Sequence, residues 1–121
     1  MKLIIAGGRN YVFNREDTAR LDAITDITEV VSGGSGWKDR ITGDLYGADL
    51  HGERYANRKG IPVKSFPADW KKYGKVAGPK RNKEMADYAD AVVLFPGGRG
   101  TASMYSMAKI TGLKIYDYRK D

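Results

Sequence analysis

The chain contains no cysteine and a single histidine, His51. Without cysteine there is no disulfide framework and no thiolate chemistry. With one histidine, a His/Cys zinc centre lacks a ligand set, so neither a metal nor a cofactor is expected. Long apolar runs are also missing. None approaches the ~20 residues needed to cross a bilayer, so no membrane partner is expected. The opening run Met1-Lys2-Leu3-Ile4-Ile5-Ala6-Gly7-Gly8 is too short for a signal peptide and reads as a first strand, which makes the expected location cytoplasmic. Acidic residues are the minority charge, 15 Asp+Glu against 21 Lys+Arg, a formal net charge of +6. That surplus favours anionic partners such as phosphates, nucleotides or nucleic acid, although surface lysines also serve solubility. A length of 121 residues fits one domain, 1–121, large enough to bury a core.

Glycine is abundant, and it stands where apolar runs end. The run from Ala91 to Phe95 stops at Pro96 and passes into Gly97-Gly98-Arg99-Gly100-Thr101. Met104, Met107 and Ala108 then recur at helical spacing. This is the pattern of a buried strand, a tight loop and a helix start. Lys2 to Ala6 runs into Gly7-Gly8-Arg9, and Thr28 to Ser32 into Gly33-Gly34-Ser35-Gly36. Glycine lets the backbone approach a ligand closely. The first amides of a helix favour an anion. Thr101 is expected to cap that helix and to offer its hydroxyl to a phosphate. A ligand-free Gly-rich turn is the simpler alternative for any one such loop.

The remaining elements follow from caps and breakers. Asn14 caps a first helix carrying Leu21 and Ile24. Residues 35–46 read as an irregular polar loop. Gly47-Ala48-Asp49 opens a helix that ends near Lys59, with Gly60 as its stop. Ile61 to Phe66 is a third strand. Residues 67–78 form a long basic and aromatic loop containing Trp70 and Tyr73, either a lid or an anchor. Pro79 suits the first position of a helix bearing Arg81, Asn82 and Met85. The last helix stops at Gly112, and Leu113 to Tyr116 is the final strand.

Alternating strands and helices imply an α/β fold, a five-stranded parallel sheet covered on both faces. The expected order is 3-2-1-4-5, a Rossmann-like three-layer α/β/α arrangement. Strands one and four are then neighbours at the switch point, where ligands bind beyond the carboxyl ends. The loops Gly7-Gly8-Arg9 and Pro96 to Thr101 would meet there, with Ser32-Gly33-Gly34 alongside. Arg9 and Arg81 can hold phosphate oxygens through their guanidinium forks. Arg81 is expected to be partly exposed, so that its loss leaves the empty protein nearly as stable. Asn82 can bind base, ribose or phosphate, or pair with loop backbone. Asp49 can bind a ribose hydroxyl or cap its helix. Glu53, one turn later, is the nearest other acid or base, and His51 reads as a packing or surface histidine.

These segments resemble the SLOG superfamily, the Rossmann-like group named for the Smf/DNA-processing-A and Lonely-guy proteins, and within it a small phage and bacterial family. The resemblance rests on Gly7-Gly8-Arg9, Val30-Val31-Ser32-Gly33-Gly34, Gly47-Ala48-Asp49, Gly60-Ile61-Pro62-Val63, Phe66-Pro67-Ala68-Asp69-Trp70, Tyr73-Gly74-Lys75, Ala77-Gly78-Pro79 with Arg81-Asn82, and Pro96-Gly97-Gly98-Arg99-Gly100-Thr101. It covers nearly the whole chain except 35–46, where relatives pass directly from Ser-Gly-Gly to Gly-Ala-Asp. It implies binding of a nucleotide or nucleotide-derived molecule, by a sensor or by an enzyme whose reaction it does not specify. It also allows nucleic-acid binding through the DNA-processing branch, and a homo-dimer. Lonely-guy enzymes hydrolyse the N-glycosidic bond of cytokinin nucleotides. Arg81 matches their arginine, but their glutamate position falls on Met104. Methionine can neither stabilise an oxocarbenium ion nor act as a base, and Met104 reads more simply as core. A glycosidic hydrolase would need Asp49 or Glu53 in its place.

Overall fold

In the computed structural model, which describes residues 1–119, five parallel strands form the central sheet. In chain order they are β1 (Lys2–Ala6), β2 (Glu29–Ser32), β5 (Val63–Ser65), β6 (Ala91–Leu94) and β7 (Lys114–Asp117), arranged β5-β2-β1-β6-β7. Counting only these strands, the order is the expected 3-2-1-4-5. β1 is central, with Leu3 opposite both Val30 and Ala91.

The period of two along the strands divides the core between two faces. Leu3, Ile5, Val93 and Phe95 pack with Leu21, Tyr55 and Ala56, on the helices α1 (Arg15–Asp22) and α2 (Ala48–Lys59). Ile4, Val31, Val92 and Leu94 pack with Met85 and Ala86 of α4 (Ala77–Tyr88) and with Met104 and Ala108 of α5 (Arg99–Thr111). Met104 is 1% exposed and belongs to this core. Each such fully buried side chain contributes roughly 1.5–3 kcal/mol.

Local chemistry accounts for the ends of the elements. Asn14 caps α1 reciprocally: its Oδ1 accepts from Asp17 N, and Asn14 N donates to Asp17 Oδ2. Gly60 and Gly112 end α2 and α5 in the left-handed conformation, at φ 71° and 84°.

Three expectations need correction. Residues 35–46 are not irregular: Trp37–Lys38 (β3) and Leu45–Tyr46 (β4) pair as an antiparallel hairpin, with the Trp37 and Tyr46 rings stacked at 4.3 Å. Residues 67–78 are not all loop, since α3 (Trp70–Tyr73) is capped by Asp69 and followed by a 3-10 turn over Gly74–Val76. α4 therefore begins at Ala77, and Pro79 is its third residue, where a missing N–H still costs no helix bond. No described helix is long and apolar enough to cross a membrane.

Candidate functional site

A cavity of about 540 Å³ opens beyond the carboxyl ends of β1 and β6. Its size falls in the range of small-molecule sites. Gly7, Gly8 and Arg9 line it from the β1 loop, and Gly98, Gly100 and Thr101 from the start of α5. Asp49 faces it from α2, and Arg81 and Asn82 from α4. Ser35, Lys75, Arg99 and Trp70 also contribute; of these the sequence pattern offers a binding role only to Trp70, as a lid. The lining thus carries the cations Arg9, Lys75, Arg81 and Arg99 against the carboxyl of Asp49. Clustered cations in a concave, partly desolvated site concentrate anions.

The two principal glycine loops are joined to each other. Gly8 N donates to Pro96 O at 2.8 Å, and Gly8 O accepts from Ala48 N at 3.1 Å. A Cβ on Gly97 would collide with Thr101 Oγ1 and lie 2.6 Å from Gly8 N. A Cβ on Gly8 would lie 3.0 Å from Pro96 O. Gly8 and Gly97 are therefore required by backbone packing against backbone. Pro96 and Gly97 do not line the cavity; they join the loops after β1 and β6.

Gly98 and Gly100 differ from them. Both line the cavity, and nothing lies within 4 Å of where their Cβ atoms would stand. Neither has a left-handed φ. Packing inside the protein does not explain these two. Gly98, not Thr101, is the N-cap of α5, and no side chain caps the helix. Thr101 sits within the first turn and is 5% exposed. This corrects the expected cap: the loop turns into helix three residues earlier than the hydroxyl-bearing residue. The amides of Arg99, Gly100 and Thr101 have no acceptor four residues back inside the helix. An uncapped helix start with open space at its glycines suits an anion.

Arg81 is committed inside the empty protein. Its Nη1 donates to Gly33 O at 2.6 Å and to Phe66 O at 3.5 Å, and its Nε to Asn82 Oδ1 at 3.0 Å. A Cβ on Gly33 would lie 2.6 Å from Arg81 Nη1. Gly33 is thus glycine to seat the guanidinium, and Arg81 ties α4 to the loops after β2 and β5. Arg81 is partly exposed, as expected, but these bonds give it a structural role in the empty protein, so its loss is expected to cost stability. Asn82 is buried, and its Nδ2 donates to Gly100 O at 3.3 Å, steadying the start of α5.

Asp49 is not a helix cap. Gly47 holds that position, and Asp49 Oδ2 accepts from Ser35 N at 3.1 Å. Burial pushes its carboxyl up from 3.8 to about 6, against the pull of the Ser35 amide and Arg81 and with a further push from Glu53. Glu53 itself does not line the cavity; its Oε2 accepts from Ser32 Oγ at 2.6 Å. Ser32 Oγ in turn accepts from Gly34 N at 3.0 Å. Ser32 therefore organises the β2 loop from below. Gly33 and Gly34 line a neighbouring cavity of about 330 Å³, which shares Ser35, Trp70 and Arg81 with the main one.

Trp70 touches α4 by one ring edge, its Cη2 3.1 Å from where a Cβ on Gly78 would stand, but it is 58% exposed and lines the cavity, so it is not a buried anchor. His51 is a packing residue: its Nε2 lies 2.7 Å from Leu45 O and its ring 5.2 Å from that of Phe13. Among the described residues no cluster of three or more His, Cys, Asp or Glu side chains is placed to hold a metal ion.

The lining residues that sequence reasoning misses are Ser35, just before β3, and Lys75, in the 3-10 turn after α3. Neither segment carries a sequence signal for the site, whereas Arg99 stands in the glycine loop at the mouth of the crevice, where the sequence puts it. Comparison with protein-family models, with curated proteins and with solved structures finds no match.

Proposed function

We propose that the cavity binds a phosphorylated nucleotide or nucleotide-derived molecule, and that the chain is a SLOG-type binding domain. The observation that carries this reading is the pair Gly98 and Gly100. They leave empty space at an uncapped helix start, and neither internal packing nor a left-handed φ calls for glycine there. A phosphate fits against the α5 amides, with Arg99 and Arg9 on the same lining. Asp49, on the opposite helix, suits a ribose hydroxyl, which donates to a carboxylate. Trp70 and Pro79 provide apolar surface for a base.

A thermal-shift screen of nucleoside monophosphates, dinucleotides and cyclic nucleotides tests the reading. Ligand at 100 times its Kd stabilises by about 2.7 kcal/mol. A melting temperature that moves with none of them refutes it.

One observation favours an enzymatic version. Asp49 is a cavity-lining carboxyl with a pKa of about 6, poised to hold or release a proton near neutrality. In an N-glycosidic hydrolase it would protonate the leaving base while water adds to the anomeric carbon. Products would be free base and ribose 5-phosphate. Free base released from a nucleoside monophosphate by the native chain, and not by Asp49→Asn, is the expected result for that version.

A further inference from the structure

On the face of α1 and α2, away from the cavity, lies a groove of about 560 Å³. Arg15 lines it from α1, and Arg54 and Arg58 from α2. All three are exposed, and among the described residues none forms an ion pair. The carboxylate on this lining, Asp22, is already engaged by Tyr55 Oη at 2.7 Å and Lys59 Nζ at 3.1 Å. His51, at the base of the groove, accepts at Nδ1 from Arg54 Nη2 at 3.3 Å. Burial, and then the charges of Arg54 and Arg58, hold its pKa below the usual histidine value. The floor is aromatic, from Phe13 and Tyr55.

The hairpin contributes no residue to this lining and is joined to it at one point, where the Leu45 carbonyl of β4 pairs with His51 Nε2 at 2.7 Å. On the hairpin, Trp37 stacks on Tyr46 and is held edge-on by a 2.7 Å bond from Nε1 to Asn10 Oδ1. Trp37 remains 38% exposed, so the stack keeps a ring open to solvent.

We propose that this groove and hairpin form a second binding site, for single-stranded nucleic acid. Arg54 and Arg58 stand one turn apart on α2, about 6 Å along the axis, a separation comparable to that of consecutive phosphates on an extended strand. Arg15 faces them across the groove. Three guanidiniums without a carboxylate partner supply backbone contacts. The Trp37–Tyr46 stack supplies a platform for an unpaired base, which duplex DNA does not present. This site is independent of the cavity reading and uses none of its residues.

The test is fluorescence anisotropy of a labelled 12-nucleotide single strand at several salt concentrations. The expected result is salt-dependent binding to the native chain. Arg54→Gln with Arg58→Gln should weaken binding at least tenfold. The log–log salt slope should fall by about 0.7 for each phosphate that the variant no longer neutralises. Arg15→Gln, on the other helix, should weaken it in the same direction. All three side chains are exposed, so unchanged melting curves will show that the variants fold. Trp37→Ala should weaken binding with no change in salt slope. No binding by the native chain overturns the proposal, as does binding that none of these substitutions alters. Equal displacement by inorganic tripolyphosphate at matched phosphate concentration also overturns it, by revealing a general polyanion site.

Discussion

Replacing Asp49 with asparagine should make the protein more stable, and by an amount that grows with pH. Burial raises the Asp49 carboxyl from 3.8 to about 6 in the folded state. Between those values the folded chain binds more protons than the unfolded one. Stability contributed by this group therefore falls as pH rises through the window and stays low above it. The full difference corresponds to about 3 kcal/mol, of which about 2 kcal/mol develops between pH 4.5 and 7. Asparagine keeps an acceptor for Ser35 N and carries no buried charge. Urea unfolding of both proteins at pH 4.5, 5.5, 6.5 and 7.5 gives the difference by linear extrapolation. Asp22 and Asp39, whose pKa values are lowered, and His51, also lowered, titrate alike in both chains and cancel. The difference should rise in the variant's favour by about 2 kcal/mol from pH 4.5 to 7.5. A difference that is flat with pH would refute the reading of Asp49 as a carboxylate ionised against its surroundings.

Other expectations follow from the same geometry. Gly97→Ala should destabilise the empty protein by roughly 1–3 kcal/mol, because the added carbon meets Thr101 and the Gly8 amide; denaturant unfolding measures it. Gly100→Val should leave the empty melting temperature unchanged or slightly higher, since glycine is the poorer helix former, while abolishing the thermal shift given by nucleotide. Arg81→Ala should cost roughly 1.5–3 kcal/mol without any ligand, because it removes the charged bonds to the Gly33 and Phe66 carbonyls. If a ligand hydroxyl donates to Asp49, affinity measured by calorimetry should strengthen as pH rises through about 6, whereas a phosphate oxygen beside it would give the opposite slope.

Much of the fold was legible because it rests on signals local in sequence. Apolar runs closed by glycine marked β1, β2 and β6, and Asn14, Gly60 and Gly112 marked helix ends. The order of strands followed from their alternation with helices. The hairpin was not legible, since two-residue strands are too short for a period of two to show. What holds them is the contact of Trp37 with Tyr46, nine residues away. The position of the α5 cap was not legible either: Thr101 is the better capping residue, yet the chain enters the helix at Gly98.

The site was legible as a place but not as a division of labour. Gly97, Gly98 and Gly100 look alike in sequence. Only tertiary structure shows that Gly97 is filled by Thr101 and Gly8, while Gly98 and Gly100 face open space. Arg81 looks like a free phosphate ligand in sequence because its partners, the carbonyls of Gly33 and Phe66, are 48 and 15 residues away. Ser32 and Glu53 carry no sign of each other in sequence, and their hydrogen bond forms only when α2 packs on β2.

The most direct test of the central reading is to watch the backbone amides while a nucleoside monophosphate is titrated into isotopically labelled protein. The amide resonances of Arg99, Gly100 and Thr101 should move most and saturably, with those of Gly8 and Arg9 following, and Gly100→Val should remove the response. Saturable binding that leaves the α5 amides in place, or shifts confined to the α1–α2 groove, would contradict it.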